Sequence, residues 1–114
     1  MSYNREKFDQ AIWKTVSGIK KGRVMSYGTV ARVSGFPRHA RMVSRAMGRS
    51  VEPLPWYRVV RSNHTLAFEV DSETYRKQRR LLEEEGVKFI KGKVTPVELK
   101  DEVDLDKLLW GTEV

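Results

Sequence analysis

The chain of 114 residues is long enough for one folded domain, and a hydrophobic content of 39% with three tryptophans indicates a globular protein. Lys and Arg outnumber Asp and Glu by 22 to 15, and the resulting net charge of +7 favours a polyanionic partner. The chain contains no cysteine, which excludes disulfides, a thiolate nucleophile and cysteine-based zinc sites.

A metal site, a cofactor and a membrane segment are not expected. His39 and His64 are the only histidines, too few for a typical histidine-based metal site. Residues 1–7 lack the apolar core of a secretory signal, and no apolar run reaches membrane-spanning length. These features predict a cytoplasmic protein, associated with the nucleoid in a prokaryote, or a nuclear protein in a eukaryote.

The first segment carries an amphipathic helix signal. Apolar residues recur at three- and four-residue spacing from Phe8 to Ile19, which predicts a helix over residues 4–19. Asn4 is placed to act as its N-cap.

A helix-turn-helix is predicted over about residues 27–48. Ser26 can cap a short helix over 27–33, and Pro37 is placed to begin a further helix (37–47) because proline needs no hydrogen bond for its nitrogen there. Two short helices joined by a glycine-containing turn form this motif, although the same pattern occurs in other helical corners.

The rest of the chain mixes short elements. Loop 51–55 contains two prolines, and the following patterns predict strands at 57–61, 65–70 and 87–94, a helix from 72 to 85, and a short helix at 104–110. The whole chain, 1–114, is therefore predicted to be a single, mainly α domain with a few short strands.

Arginines are concentrated on the predicted helix at 37–47 and just beyond it. They recur at a three- or four-residue spacing that places them along one helical face: Arg38, Arg41, Arg45 and Arg49. Such a row suits phosphate contact, and a guanidinium can also stack on bases, but a solvated basic face has the same pattern. The small residues Ala40 and Ser44 would permit close approach to a narrow groove. Asn and Gln are absent from this helix, which argues against sequence-specific readout.

Four segments occur in an order that is typical of one family. They are Val24-Met25-Ser26-Tyr27-Gly28, Gly35-Phe36-Pro37-Arg38-His39-Ala40-Arg41, Pro55-Trp56-Tyr57-Arg58-Val59 and Leu81-Leu82-Glu83-Glu84-Glu85-Gly86. With them the chain resembles the alkyltransferase-like proteins, noncatalytic relatives of O6-alkylguanine-DNA alkyltransferase that carry tryptophan in place of the nucleophilic cysteine. The resemblance implies a winged helix-turn-helix-like DNA-binding domain of the alkyltransferase C-terminal type.

The resemblance also implies roles for individual residues. Tyr27 would rotate the target nucleotide by crowding its 3′ phosphate, and Arg41 would be the arginine finger that fills the vacated base stack. The helix would read the minor groove, with DNA contacts from Tyr27, Arg38, Ala40, Arg41, Ser44 and Arg45. The lesion pocket would comprise Tyr27, Trp56, Arg58, Val59 and Ser72, with backbone groups near Trp56 and Val59 recognising the guanine edge.

Several positions depart from the family pattern. Tyr57 replaces the usual histidine, and Glu85 matches a glutamate that helps to activate the thiol in the enzymes. Without a thiol, Glu85 is predicted to be structural, bonding to Arg58 or to nearby backbone. Glu69 and Asp71 stand where relatives carry basic or small residues.

These observations predict a protein that is not an enzyme. It would bind duplex DNA containing O6-alkylguanine as a monomer, flip the damaged nucleotide without alkyl transfer, and flag the lesion for nucleotide excision repair proteins. The alternative is a sequence-specific helix-turn-helix transcriptional regulator. A glycosylase-like hydrolase would have to use the acidic residues Asp71, Glu83, Glu84 or Glu85, which are more typical of a solvated surface.

Overall fold

The computed structural model describes residues 4–95, and this part of the chain is mainly helical with short strands, as predicted. Its helices are α1 (Arg5–Ser17), α2 (Tyr27–Val33), α3 (Val43–Gly48) and α4 (Glu73–Glu84), and its strands are β1 (Met25–Ser26), β2 (Val59–Val60), β3 (Phe89–Ile90) and β4 (Lys93–Val94). 3₁₀ turns over Ala40–Met42 and Trp56–Arg58 precede α3 and β2. None of these helices is long and apolar enough to cross a membrane. The helix predicted at 104–110 lies outside the described residues.

Side-chain caps begin three of the helices. Asn4 accepts a hydrogen bond from the Lys7 backbone N–H at 3.0 Å, as predicted for the start of α1. Ser26 caps α2 in the same way, also as predicted, and Ser72 caps α4 through the Tyr75 N–H at 3.1 Å. These bonds satisfy N–H groups that a helix start leaves without a partner.

Removing the α4 cap is expected to destabilise the protein. Ser72→Ala should lower the free energy of unfolding by about 1 kcal/mol, because the Tyr75 N–H loses its acceptor. Urea unfolding of this variant, of Ser72→Asp, which retains an acceptor, and of Ser62→Ala, at an exposed turn position, would measure the effect. Equal losses for Ser72→Ala and Ser62→Ala would contradict the capping role.

A tight turn at Gly35 ends α2. Gly35 has a φ of 93°, the left-handed conformation that glycine adopts without a steric cost. The Phe36 N–H donates to the Ala31 carbonyl at 2.8 Å. The Phe36 ring then packs edge-on against Phe8 of α1, with ring centroids 5.1 Å apart, so the turn is anchored to the core.

The prediction that the next helix begins at Pro37 is wrong. The chain turns again at residues 37–38, where the His39 N–H donates to the Phe36 carbonyl at 2.9 Å. The His39 ring packs against the Phe36 ring at a centroid distance of 5.8 Å, which holds this second turn in place. Helical hydrogen bonding therefore restarts only at Ala40.

The parallel pair β1–β2 lies between two hydrophobic clusters. Met25 pairs with Val59, and Ser26 pairs with Val60. Because successive side chains in a strand point to opposite faces, Val59 packs with α1, α2 and α3, whereas Val60 packs with α4 and β4. Helices α2 and α3 lie in the connection between the two strands, so the helix-turn-helix is fixed to the ladder at both ends.

The predicted strands are shorter than expected or differently paired. In 57–61 only β2 is extended, and 65–70 contributes a single bridge between Thr65 and Lys93. Segment 87–94 is not one strand but the antiparallel hairpin β3–β4, which turns at Lys91 and Gly92 with φ values of 53° and 79°. The cause is tertiary: β2 is buried on both faces and pairs with distant β1 instead of with its neighbour in sequence.

Candidate nucleic-acid interface

An open cavity of about 520 Å³ lies beside the helix-turn-helix. It brings together residues from three separate parts of the described chain: Tyr27, Ala40, Arg41, Ser44, Arg61, Ala67 and Phe68. Four of these are residues for which the family resemblance implied DNA contacts, and the tertiary structure places them around one opening.

The arginines near α3 do not form the single row that their spacing predicted. Arg38 lies before the helix, Arg41 lies in the 3₁₀ turn, and Arg45 is on α3; all three are exposed. Arg41 lines both the main cavity and a second depression that includes Arg38. The free basic surface of this region is therefore concentrated at the turn that precedes α3.

Arg49 has a structural position instead. It follows the last residue of α3, and its guanidinium makes two hydrogen bonds of 2.7 Å to the Asp9 carboxylate of α1. The hydrogen bond from Arg49 lowers the pKa of Asp9, against the opposing effect of burial. The prediction that Arg49 shares one helical face with the other three arginines is wrong, because the helix ends at Gly48 and the Arg49 guanidinium is bound by Asp9 of α1.

Tyr27 is the first residue of α2 and forms one wall of the cavity. Its side chain is half-buried, and burial raises the pKa of its phenol, while the nearby Arg61 guanidinium partly lowers it. The phenol is therefore neutral at physiological pH. A neutral, rigid ring at a cavity wall can press on a nucleotide without repelling its phosphate.

Trp56 adjoins the cavity through Phe68 and is not among the residues that line it. Its ring packs edge-on against Phe68, which does line the cavity, at a centroid distance of 6.2 Å. The Tyr57 ring also packs edge-on against the Trp56 ring, with centroids 5.9 Å apart. The three rings form an aromatic group, and Phe68 is the member of the group that lines the cavity.

Glu85 organises a network beneath this aromatic group. It accepts hydrogen bonds from Arg58 (Nε at 3.0 Å and Nη2 at 2.6 Å), from the Tyr57 hydroxyl at 3.0 Å, and from the Gly22 backbone N–H at 2.9 Å. Arg58 also donates to the Ile19 carbonyl at 2.8 Å. The predicted structural role of Glu85, with Arg58 as its partner, is confirmed.

The network shifts the ionisation of its members. Burial alone would raise the pKa of Glu85, but hydrogen bonds from Arg58, Gly22 and Tyr57 outweigh burial and lower it. The pKa of Tyr57 is raised by burial and by its hydrogen bond to Glu85. At neutral pH the site therefore holds a carboxylate, a guanidinium and a neutral phenol.

Glu85 is expected to contribute to the acid sensitivity of folding. Because its pKa is lower in the folded than in the unfolded state, its contribution is present above the unfolded value of about 4.3. It is lost as pH falls through the folded pKa. Glu85→Gln should therefore show a smaller loss of unfolding free energy than the wild type between about pH 5 and about pH 2. Urea unfolding across this range, with Glu84→Gln at an exposed position as control, tests it; parallel curves for wild type and Glu85→Gln would contradict it.

The remaining residues assigned to the lesion pocket, Arg58, Val59 and Ser72, make structural contacts. Val59 is fully buried, and its carbonyl accepts a hydrogen bond from the Gln78 side chain at 3.1 Å. Arg58 points into the Glu85 network, and Ser72 caps α4. Glu69 and Asp71 are exposed on the segment that leads to α4.

Three cavity residues were not singled out from the sequence: Arg61, Ala67 and Phe68. Arg61 directly follows β2, as Tyr27 directly follows β1, and only the parallel pairing shows that they are neighbours. Phe68 lies in the segment predicted as a strand, 65–70, and no sequence pattern indicated that it lines a cavity. Among residues 4–95 there is no cluster of His, Asp or Glu that could hold a metal ion.

Comparison with known proteins agrees with this fold. A family model described as 6-O-methylguanine DNA methyltransferase, DNA binding domain, matches residues 7–87, and the chain belongs to this family. The predicted resemblance to the alkyltransferase-like proteins is confirmed by the relatives that follow.

The DNA base-flipping protein of Escherichia coli is 34% identical over 108 residues, covering 93% of this chain and 76% of that protein. Alkyltransferase-like protein 1 of Schizosaccharomyces pombe is 36% identical over 87 residues, covering 74% of this chain and 80% of that protein. The crystal structure of S. pombe Atl1 in complex with damaged DNA containing O6-carboxymethylguanine superimposes with a TM-score of 0.72 at 31% identity, covering 86% of this chain and 95% of that chain. The predicted fold class is therefore confirmed.

Proposed function

We propose that this protein binds duplex DNA containing O6-alkylguanine, rotates the damaged nucleotide out of the stack, and holds it without accepting the alkyl group. The observation that carries this proposal is the cavity that joins Tyr27 and Arg41 of the helix-turn-helix to Phe68 of the aromatic group. A cavity of about 520 Å³ is large enough for an extruded purine base.

Tyr27 and Arg41 of the helix-turn-helix supply complementary actions. Tyr27 provides a neutral wall that crowds the backbone of the target nucleotide, and Arg41 is exposed at the mouth, where its planar cation can replace the lost stacking. The small Ala40 and Ser44 beside them permit close approach to the minor groove.

The absence of transfer is a matter of chemistry. The whole sequence contains no cysteine, so no thiolate can attack the alkyl carbon. Trp56, at the position of the family nucleophile, offers an apolar ring and an N–H but no comparable nucleophile. Glu85 is held by Arg58, Gly22 and Tyr57, and Glu83 pairs with Arg79 at 3.2 Å, so both carboxylates have structural partners instead of a substrate.

The decisive experiment compares two duplexes that differ only in one O6-methylguanine, at fixed salt concentration. The expected result is tighter binding of the lesion duplex, with the methyl group still on the DNA when the nucleosides are analysed afterwards. Equal affinity for both duplexes would contradict lesion recognition. A single preferred undamaged sequence, found by selection from a random pool, would favour the regulator instead.

The same proposal includes a signalling role. A long-lived complex of one monomer with distorted DNA would mark the lesion for nucleotide excision repair proteins. The test is incision of a lesion plasmid in a repair-competent extract: adding this protein should increase incision, and an excess of short lesion duplex that removes it from the plasmid should abolish the increase. Incision that is independent of the protein would contradict the signalling role.

A further inference from the structure

Arg61 has a position in the cavity that the proposed function does not yet use. Its neighbour across the parallel ladder is determined by register: Ser26 pairs with Val60, so the next residues, Tyr27 and Arg61, leave the same end of β1 and β2 side by side. Both then line the cavity, together with Arg41. The opening therefore carries a phenol with a guanidinium next to it and a second guanidinium contributed by the helix-turn-helix.

The Arg61 side chain is available for a ligand. It is exposed, and within residues 4–95 its guanidinium makes one long hydrogen bond, from Nη2 to the Ala67 carbonyl at 3.3 Å, and no ion pair. A guanidinium has five N–H donors arranged as a planar fork, so most of its donors remain free. By contrast, Arg49 and Arg58 are both held by carboxylates.

Backbone hydrogen bonds brace the turn that carries Arg61. The Arg61 N–H donates to the Thr65 carbonyl at 2.9 Å, and the His64 N–H donates back to the Arg61 carbonyl at 2.8 Å. The hairpin β3–β4 braces this turn, because the Val94 N–H donates to the His64 carbonyl at 3.0 Å. The braced backbone fixes the point from which the Arg61 side chain projects, so no backbone ordering is needed when a ligand binds.

We infer that Arg61 is a phosphate-binding residue that clamps the phosphodiester of the extruded nucleotide beside Tyr27. This inference rests on the proposed function, since the contact forms when a nucleotide occupies the cavity. Guanidinium binds phosphate through paired N–H donors, and the parallel register and the shared cavity lining place the charge of Arg61 beside Tyr27. Arg41 then fills the stack, Tyr27 displaces the nucleotide, and Arg61 retains it.

The test measures how affinity depends on salt for three duplexes of one sequence. At one position they carry guanine, O6-methylguanine, or an unpaired extrahelical guanine that needs no extrusion. For Arg61→Ala, the plot of log affinity against log salt concentration should become less steep by about one unit with the lesion and extrahelical duplexes, because one phosphate contact is lost. Affinity for these duplexes at low salt should fall roughly 10-fold. The slope with the guanine duplex should not change.

Two further variants make the result specific. Arg61→Lys retains a cation and should keep the slope of the wild type. Lys14→Ala removes one charge from an exposed residue of α1 that lines a different groove. In this variant the differences in slope between the three duplexes should be the same as in the wild type.

Three outcomes would overturn the inference. The first is an unchanged slope for Arg61→Ala with the lesion and extrahelical duplexes, and the second is an equal change of slope for Arg61→Ala with all three duplexes. The third is a changed lesion preference in Arg61→Lys at an unchanged slope, which would show that the guanidinium reads the base. The two hypotheses fail separately. Equal wild-type affinity for guanine and O6-methylguanine would contradict lesion recognition, while the extrahelical duplex would still test Arg61.

Discussion

Replacing Arg41 with alanine is expected to cause the largest loss of lesion binding. Arg41 is exposed in the 3₁₀ turn at the mouth of the cavity, and in the proposed complex it replaces the stacking that the flipped base leaves behind. Loss of a stacked planar group costs about 1–3 kcal/mol, which corresponds to a roughly 10- to 100-fold weaker Kd for the O6-methylguanine duplex.

The control for this prediction is close in sequence and equal in charge. Arg45→Ala also removes one exposed arginine, from α3, but Arg45 does not line the cavity as described for residues 4–95. It should weaken binding to damaged and undamaged duplexes by the same small factor. Fluorescence anisotropy with both duplexes at one salt concentration measures the two variants. If Arg41→Ala and Arg45→Ala changed both affinities equally, Arg41 would be a general backbone contact and not an intercalating finger.

Replacing Glu85 with alanine is expected to cause the largest loss of stability. The substitution removes the acceptor of the Arg58 guanidinium, the Tyr57 hydroxyl and the Gly22 N–H together. The Arg58–Glu85 pair is partly buried, with side-chain exposures of 14% and 8%. Leaving its charged and polar groups without an acceptor is therefore expected to cost about 2–3 kcal/mol, less than the loss of a partner from a fully buried pair. The affected groups connect the end of α4 to the turn after α1 and to the segment that holds Trp56.

Urea unfolding monitored by tryptophan fluorescence tests this expectation. Glu83→Ala is the matched control, since Glu83 lies on the same helix in an exposed pair with Arg79, and such pairs contribute less than about 0.5 kcal/mol. Glu85→Gln, which keeps the volume and one acceptor oxygen, should lose less stability than Glu85→Ala. A Glu85→Ala midpoint equal to that of Glu83→Ala would mean that the network adds no stability.

Some features of the fold and of the site could be predicted from the sequence. The caps at Asn4 and Ser26 were predicted because a capping side chain bonds to an N–H only three residues away. The partnership of Glu85 with Arg58 came from the family pattern combined with the missing thiol, and the structure contains it.

Other parts depended on contacts between residues far apart in the chain. The helix α3 begins at Val43 and not at Pro37, in a segment where Phe36 and His39 both pack against Phe8 of α1, a contact that no helix-start rule includes. Arg49 does not continue the row of Arg38, Arg41 and Arg45, because its guanidinium is bound by Asp9 of α1.

Short-range chemistry therefore accounts for the helices, their caps and the residues that carry charge, since each of these depends on neighbours within one or two turns. The assembly of the cavity has a different origin. Tyr27 and Arg61 are adjacent because two two-residue strands far apart in the sequence pair in parallel, and Phe68 lines the opening in contact with Trp56. Parallel pairing across a helical crossover is decided by burial of both strand faces in two cores, and that balance exists only when the whole chain has packed.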